Sequence, residues 1–187
     1  MAIPLVSNLV SGVKGGLTAA LEGVSDIGGA VLGSVKDIVV STLKETGEFV
    51  TQGIEVPASI VKGSIDGVVE VGTTVIATAK NIVGGTVEGF MTSGGKQDTA
   101  VTGAVSQVIT SAAELGEDVG DVAVLAVEGA VDAVSNVGGD AIGATKEAVL
   151  AAVDAAKGIG GTALDTVTDS LKKSIDGAGE IIDSITS

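Results

Sequence analysis

A large apolar residue recurs every eleven positions along this chain, and that recurrence limits the folds open to it more than any other feature. Cut from Leu9, successive blocks read "LVSGVKGGLTA", "ALEGVSDIGGA" and "VLGSVKDIVVS", and the second position is Val10, Leu21, Leu32, Leu43, Ile54, Ile65, Ile76 and Val87. Past a disturbed block at 97–107 the same frame holds Ile109, Val131, Ile142, Val153, Leu164 and Ile175, interrupted by Gly120, so fourteen of sixteen blocks keep the phase. The third position is mostly acidic or small, with Glu22, Glu55, Asp66, Glu88, Asp121, Asp132, Asp154, Asp165 and Asp176. The seventh is polar in the same way, with Asp26, Asp37, Glu48, Glu70, Glu114, Glu147, Asp169 and Glu180. Eleven residues over three turns is about 3.67 per turn, so the apolar positions stay on one face of an α-helix and the acids on the other.

A strand reading competes locally, because "VVEVGTTVIATAK" alternates and is rich in Val, Ile and Thr. Eleven is odd, however, so a strict two-residue alternation would swap faces at every block. The pattern therefore predicts an all-α protein, arranged as a long helical hairpin or as a bundle of small-residue helices. Gly94-Gly95 in "MTSGGKQDTA" marks the expected reversal between Ser93 and Thr99, dividing an N-terminal half (1–93) and a turn (94–99) from an acidic C-terminal half (100–187). Pro57 is expected to kink or restart the first half, and Gly138-Gly139 to break the second. The fourteen apolar residues are the expected interaction face, buried or adsorbed, and Asp66, Glu88, Asp132, Asp154, Asp165 and Asp176 are expected in solvent. Glycines such as those of "NIVGGTVEGF" weaken the helices by about 1 kcal/mol each relative to Ala and favour close helix packing.

The apolar residues are of a narrow kind. Two Phe and no Trp or Tyr leave Val, Ile, Leu and Ala to supply the buried area, beside 29 Gly in 187 residues. With no Cys and no His, disulfides, thiolate or imidazole metal sites, Ser-His-Asp triads and His-based acid/base chemistry are excluded. All ten cations are Lys, so bidentate guanidinium clamps are absent as well. A net charge of -14 argues against nucleic acid and against anionic membranes. Most of it lies after Lys96, where 4 Lys face 15 acids, against 6 Lys and 9 acids up to that point.

No motif rises to a catalytic, cofactor or metal site. "GAGEIIDS" and "GGTALDT" lack the Lys-Ser/Thr of a phosphate loop. The acidic run "ELGEDVGDVAVLAVEGAVD" lacks calcium-loop spacing and reads as a solvated face. The N-terminus has no basic-then-apolar leader pattern, and no uncharged apolar run is long enough to span a bilayer. The expectation is a non-enzymatic cytoplasmic protein, with export by an unconventional route left open.

Blocks such as "VLGSVKDIVVS", "NIVGGTVEGF" and "SNVGGDAIGATKEAV" resemble, in period and composition, the 11-residue repeats of synucleins and perilipins. The resemblance extends over nearly the whole chain and implies helices that adsorb on a lipid or lipid-droplet surface. The chain departs from those families in charge: Lys14, Lys36, Lys80, Lys146 and Lys157 flank the arc, but acids outnumber Lys. Neutral lipid, a storage granule or another hydrophobic interface is thereby the expected partner. The alternative is that the arcs pack on one another and on copies of the chain, building a filament, shell or sheath.

Overall fold

A computed structural model describes residues 3–46 and 53–186; Glu48, among the seventh-position acids, lies outside the described residues. All regular structure among them is α-helical: α1 (Ile3–Leu21), α2 (Ile27–Thr46), α3 (Glu55–Glu70), α4 (Val75–Thr92), α5 (Gln97–Glu114), α6 (Val119–Asn136), α7 (Ala141–Ile159), α8 (Gly161–Ser174) and α9 (Ala178–Thr186). Of the two architectures the sequence left open, the molecule is the small-residue bundle. The reversal between Ser93 and Thr99 is present, but it is one of a series. Pro57 sits in the first turn of α3, where its missing N–H has no partner to lose, so it starts a helix and kinks none.

The turns explain why the helices stop. In the α4–α5 turn Gly94 adopts φ 101°, a left-handed conformation that side chains disfavour, and the amide of Gly95 reaches back to the carbonyl of Phe90 at 2.9 Å. The same closure joins Thr73 to Val68, Glu117 to Ala112 and Gly139 to Val134. The glycines concerned, Gly72, Gly94, Gly116 and Gly138, follow one another at intervals of 22 residues, as does Gly160 after them. Two positions after each of the first four glycines stands the N-cap of the next helix, and Thr74, Asp118 and Asp140 there accept hydrogen bonds from first-turn amides. The structural unit is thus one helix and one tight turn, twice the length of the apolar frame.

Each tight turn reverses the chain, and α1 to α5 each pack more extensively on the next-but-one helix than on the immediate successor, whereas α6 packs equally on α7 and α8 and α7 packs more on α8 than on α9. Two layers result: α1, α3, α5, α7 and α9 in one, and α2, α4, α6 and α8 in the other, in the manner of a helical solenoid. Between the layers lies a core of Leu17, Val35, Val39, Ile60, Ile82, Val105, Ile109 and other aliphatics, with Phe90 its largest fully buried side chain. Within each layer, glycine lets parallel helices touch backbone to backbone. A Cβ at Gly63 would stand 2.5 Å from the Val10 carbonyl, at Gly85 2.7 Å from that of Leu32, and at Gly103 2.7 Å from that of Ile54. Gly129 meets the Lys80 carbonyl in the same way. Small residues four apart on one helix therefore receive the Val ridge of its neighbour, as Gly85 and Gly89 receive Val35 and Val39.

Candidate functional site

The fourteen residues of the expected interaction face do not form one surface. Leu21, Leu43, Ile65, Val87, Ile109 and Val153 are buried inside the bundle, and Val10, Leu32, Ile76, Val131, Leu164 and Ile175 are half-buried. Ile54 is 49% exposed and Ile142 87%, so of the buried-or-adsorbed face these two lie outside the buried part. The reason is the 22-residue unit: the frame visits each helix twice, and its two visits are not equivalent. Leu21, Leu43, Ile65, Val87, Ile109 and Val153 fall in the second half of their helices and are buried, whereas Val131 and Ile175, in the same place of the frame, are half-buried. From Ile54 onward the other set falls at or near helix starts, where Ile142 in the first turn of α7 has no described neighbour to cover it.

Among the acids expected in solvent, Asp132, Asp154, Asp165 and Asp176 are exposed and Asp66 is half-buried. Glu88 is the clear correction, at 5% exposure within α4. Its two carboxylate oxygens serve different neighbours: Oε2 pairs with the Lys36 ammonium of α2 at 3.1 Å, and Oε1 accepts from the Asn136 side-chain amide of α6 at 2.8 Å. One buried carboxylate thus ties three successive helices of the second layer. A crevice of about 110 Å³ opens beside it, lined by Lys80, Asn81, Gly84, Glu88, Gly129, Asp132 and Asn136 among others.

The same logic recurs along the molecule as lysine on one helix meeting acid on the next-but-one. Lys14 of α1 reaches Glu70 of α3 at 2.9 Å, and Lys80 of α4 reaches Asp132 and Glu128 of α6 at 3.0 and 3.5 Å. The hydrogen bond that the Lys80 ammonium donates to Asp132 holds it above its ordinary pKa, the lesser effect of burial opposing it. Glu70 does the same for Lys14, again chiefly by hydrogen bonding.

In the acidic run after α5, Glu114, Asp118, Asp121 and Asp132 are exposed, whereas Glu117 has a structural task. Its carboxylate accepts from the backbone amides of Val75 and Ile76 at 2.9 and 2.7 Å, so that from the facing turn it satisfies first-turn donors of α4 that the Thr74 cap leaves over. Sequence spacing offers no signal for that contact, because it joins residues 41 and 42 positions apart.

What these arrangements can do chemically is hold helices in register. Among the described residues no group of three or more acids converges as a metal site, and no helix is long and apolar enough to cross a membrane. The larger surface grooves are open and bounded by mixed side chains, as in the one of about 460 Å³ between Ile76, Asp121, Leu125 and Lys173. Comparison with known protein families, with characterised proteins and with solved structures finds no match to the chain.

Proposed function

We propose that the protein is a non-enzymatic structural module that works by stacking helices and that extends this stacking to copies of itself. The observation that carries this reading is the repeated contact of glycine with a neighbouring backbone carbonyl, at α1 on α3, α2 on α4, α3 on α5 and α4 on α6. Helix-stacking surfaces are what the sequence elaborates again and again, and a layered stack has edges at which the same packing can continue.

Coating of a neutral lipid or granule surface is the second reading. It is favoured by α9, a short helix that buries only Ala178 and Ile182 and leaves Ile185 39% exposed as an apolar foothold for adsorption. Engagement of the remaining arcs with lipid would require the layers to part.

Circular dichroism and flotation with neutral-lipid emulsion, zwitterionic vesicles, anionic vesicles and buffer alone, with electron microscopy of the buffer sample, separates the two. The expected result is a chain that is helical in buffer, indifferent to lipid, and assembled into discrete particles larger than one chain. Helicity gained only in the presence of lipid, with co-flotation, would overturn the structural reading in favour of the coat.

A further inference from the structure

The two ends of the helical stack are built differently. At one end α8 and α9 expose Asp165, Asp169, Lys172, Lys173, Glu180 and Asp183, a charged cover of the kind that terminates stacked helices in water. At the other end an exposed flank of α1 carries Asn8, Gly12, Gly15 and Ala19, all uncharged, with Gly15 and Ala19 bordering an open groove that also holds Lys14 and, from α3, Glu70. No described element packs there, and Cβ atoms at Gly12 or Gly15 would meet nothing within 4 Å. Gly15 and Ala19 stand two 22-residue units before Ser59 and Gly63, and Gly63 is where α3 receives α1. The flank of α1 is therefore a receiving face of the same make as the one used inside the chain.

Deepening the self-assembly reading and resting on it, we infer that this edge is a two-fold interface at which a second copy of the chain docks, α1 on α1 and α2 on α2, each pair antiparallel. The face is self-complementary in shape. Asn8 and Ala19, and likewise Gly12 and Gly15, are disposed symmetrically about a point between Val13 and Lys14, so a dyad there sets Gly12 of each copy against Gly15 of the other. It is self-complementary in charge as well. On the exposed side of α2 Asp37 and Lys44 are seven residues apart, about 10.5 Å along the helix, and neither makes an ion pair with a described residue. A dyad between Val40 and Ser41 places Asp37 of each copy against Lys44 of the other.

The contact of Gly16 with the Ile38 side chain sets the relative height of α1 and α2. Both pseudo-centres lie two to three residues farther from the α1–α2 turn than that contact, so they agree to within about one helical turn and a single axis serves both. Helices of 19 and 20 residues are about 28–30 Å long and sit 8–10 Å apart, presenting roughly 500–600 Å² per copy, which reaches the ~1,000 Å² total of a specific interface. The dimer is closed, with the charged helices α8 and α9 at both ends.

The test is analytical ultracentrifugation of the full chain and its variants across a concentration series, with circular dichroism to confirm that each remains helical. Wild type is expected to be dimeric. Gly15→Gln, whose side chain enters open space in the single chain, is expected to shift it to monomer with helicity kept. Asp37→Lys and Lys44→Asp should each raise the dimer Kd at least about tenfold by setting like charges against each other, and the double variant should return it to within about threefold of wild type. A dimer indifferent to all three substitutions, or open-ended filaments, would overturn the two-fold edge while leaving self-assembly in place. A chain that stays monomeric at every concentration would overturn both.

Discussion

Thr86 is a buried hydroxyl in the middle of α4, and its Oγ1 has no hydrogen-bond partner in the structure. Other buried helical hydroxyls here return to the preceding turn, as Ser64 does to Ile60 and Thr78 to Thr74. Replacement of Thr86 by Val keeps the shape and removes an unsatisfied group, so T86V is expected to stabilise the fold by about 1 kcal/mol, read as a higher urea midpoint at unchanged slope. Glycine is decided by position in the same way. A methyl group added at Gly33 would meet nothing within 4 Å, whereas one at Gly85 would meet the Leu32 carbonyl at 2.7 Å and Val35 Cβ at 2.9 Å. Gly33→Ala should therefore gain up to about 1 kcal/mol from helix propensity, and Gly85→Ala should lose about 1–3 kcal/mol because two backbones must separate. Loss of stability in both, or in neither, would contradict the close-packing account.

At the scale of the helices, the carboxylate of Glu88 is the element that sequence periodicity could not locate. Its place in the eleven-residue frame is that of Asp132 and Asp154, which are exposed, so the same letter pattern leads to opposite surroundings. What differs is the neighbours: Lys36 and Asn136 lie 52 and 48 residues away, and they meet Glu88 only because each helix stacks on the next but one. The helical class, the amphipathic faces and the burial of Leu21, Leu43, Ile65, Val87, Ile109 and Val153 were legible, because they follow from hydrophobic spacing alone. The 22-residue unit was present in the letters as Gly72, Gly94, Gly116, Gly138 and Gly160, but a turn glycine has no hydrophobic signal and a frame built on apolar residues passes over it. Removal of the Lys36 charge tests the element-level account. Lys36→Met leaves a buried carboxylate with only the Asn136 amide and should cost about 1–3 kcal/mol, discounted for the partial exposure of Lys36. Lys36→Met with Glu88→Met should recover to within about 1 kcal/mol of wild type in the same urea titration; failure to recover would show that the pair does more than satisfy its own burial.

For the molecule as a whole, shared backbone contacts within each layer are reinforced by lysines that clamp one helix to the next but one. Lys14 ties α1 to α3, Lys36 ties α2 to α4, and Lys80 ties α4 to α6. With ten lysines against 24 acids, loss of these few positive charges also leaves the acids of neighbouring helices facing each other without a counter-charge. Lys14 and Lys80 have pKa values raised in the fold above the ordinary 10.5 by their acidic partners. A cation whose folded pKa exceeds its unfolded one adds stability that is fully present below the unfolded value and is lost as pH rises through the folded value. The clamps should therefore hold unchanged across neutral and mildly alkaline pH and fail above about 10.5, with the fold losing stability on the alkaline side. Lys80→Met lacks the larger, two-acid clamp, so its stability should be lower than wild type at pH 7 and should decline less between pH 9 and pH 11. Urea midpoints for both proteins over that range check this: parallel declines would mean that the Lys80 clamp contributes nothing to the alkaline transition, and that the remaining lysines and general acid repulsion account for it.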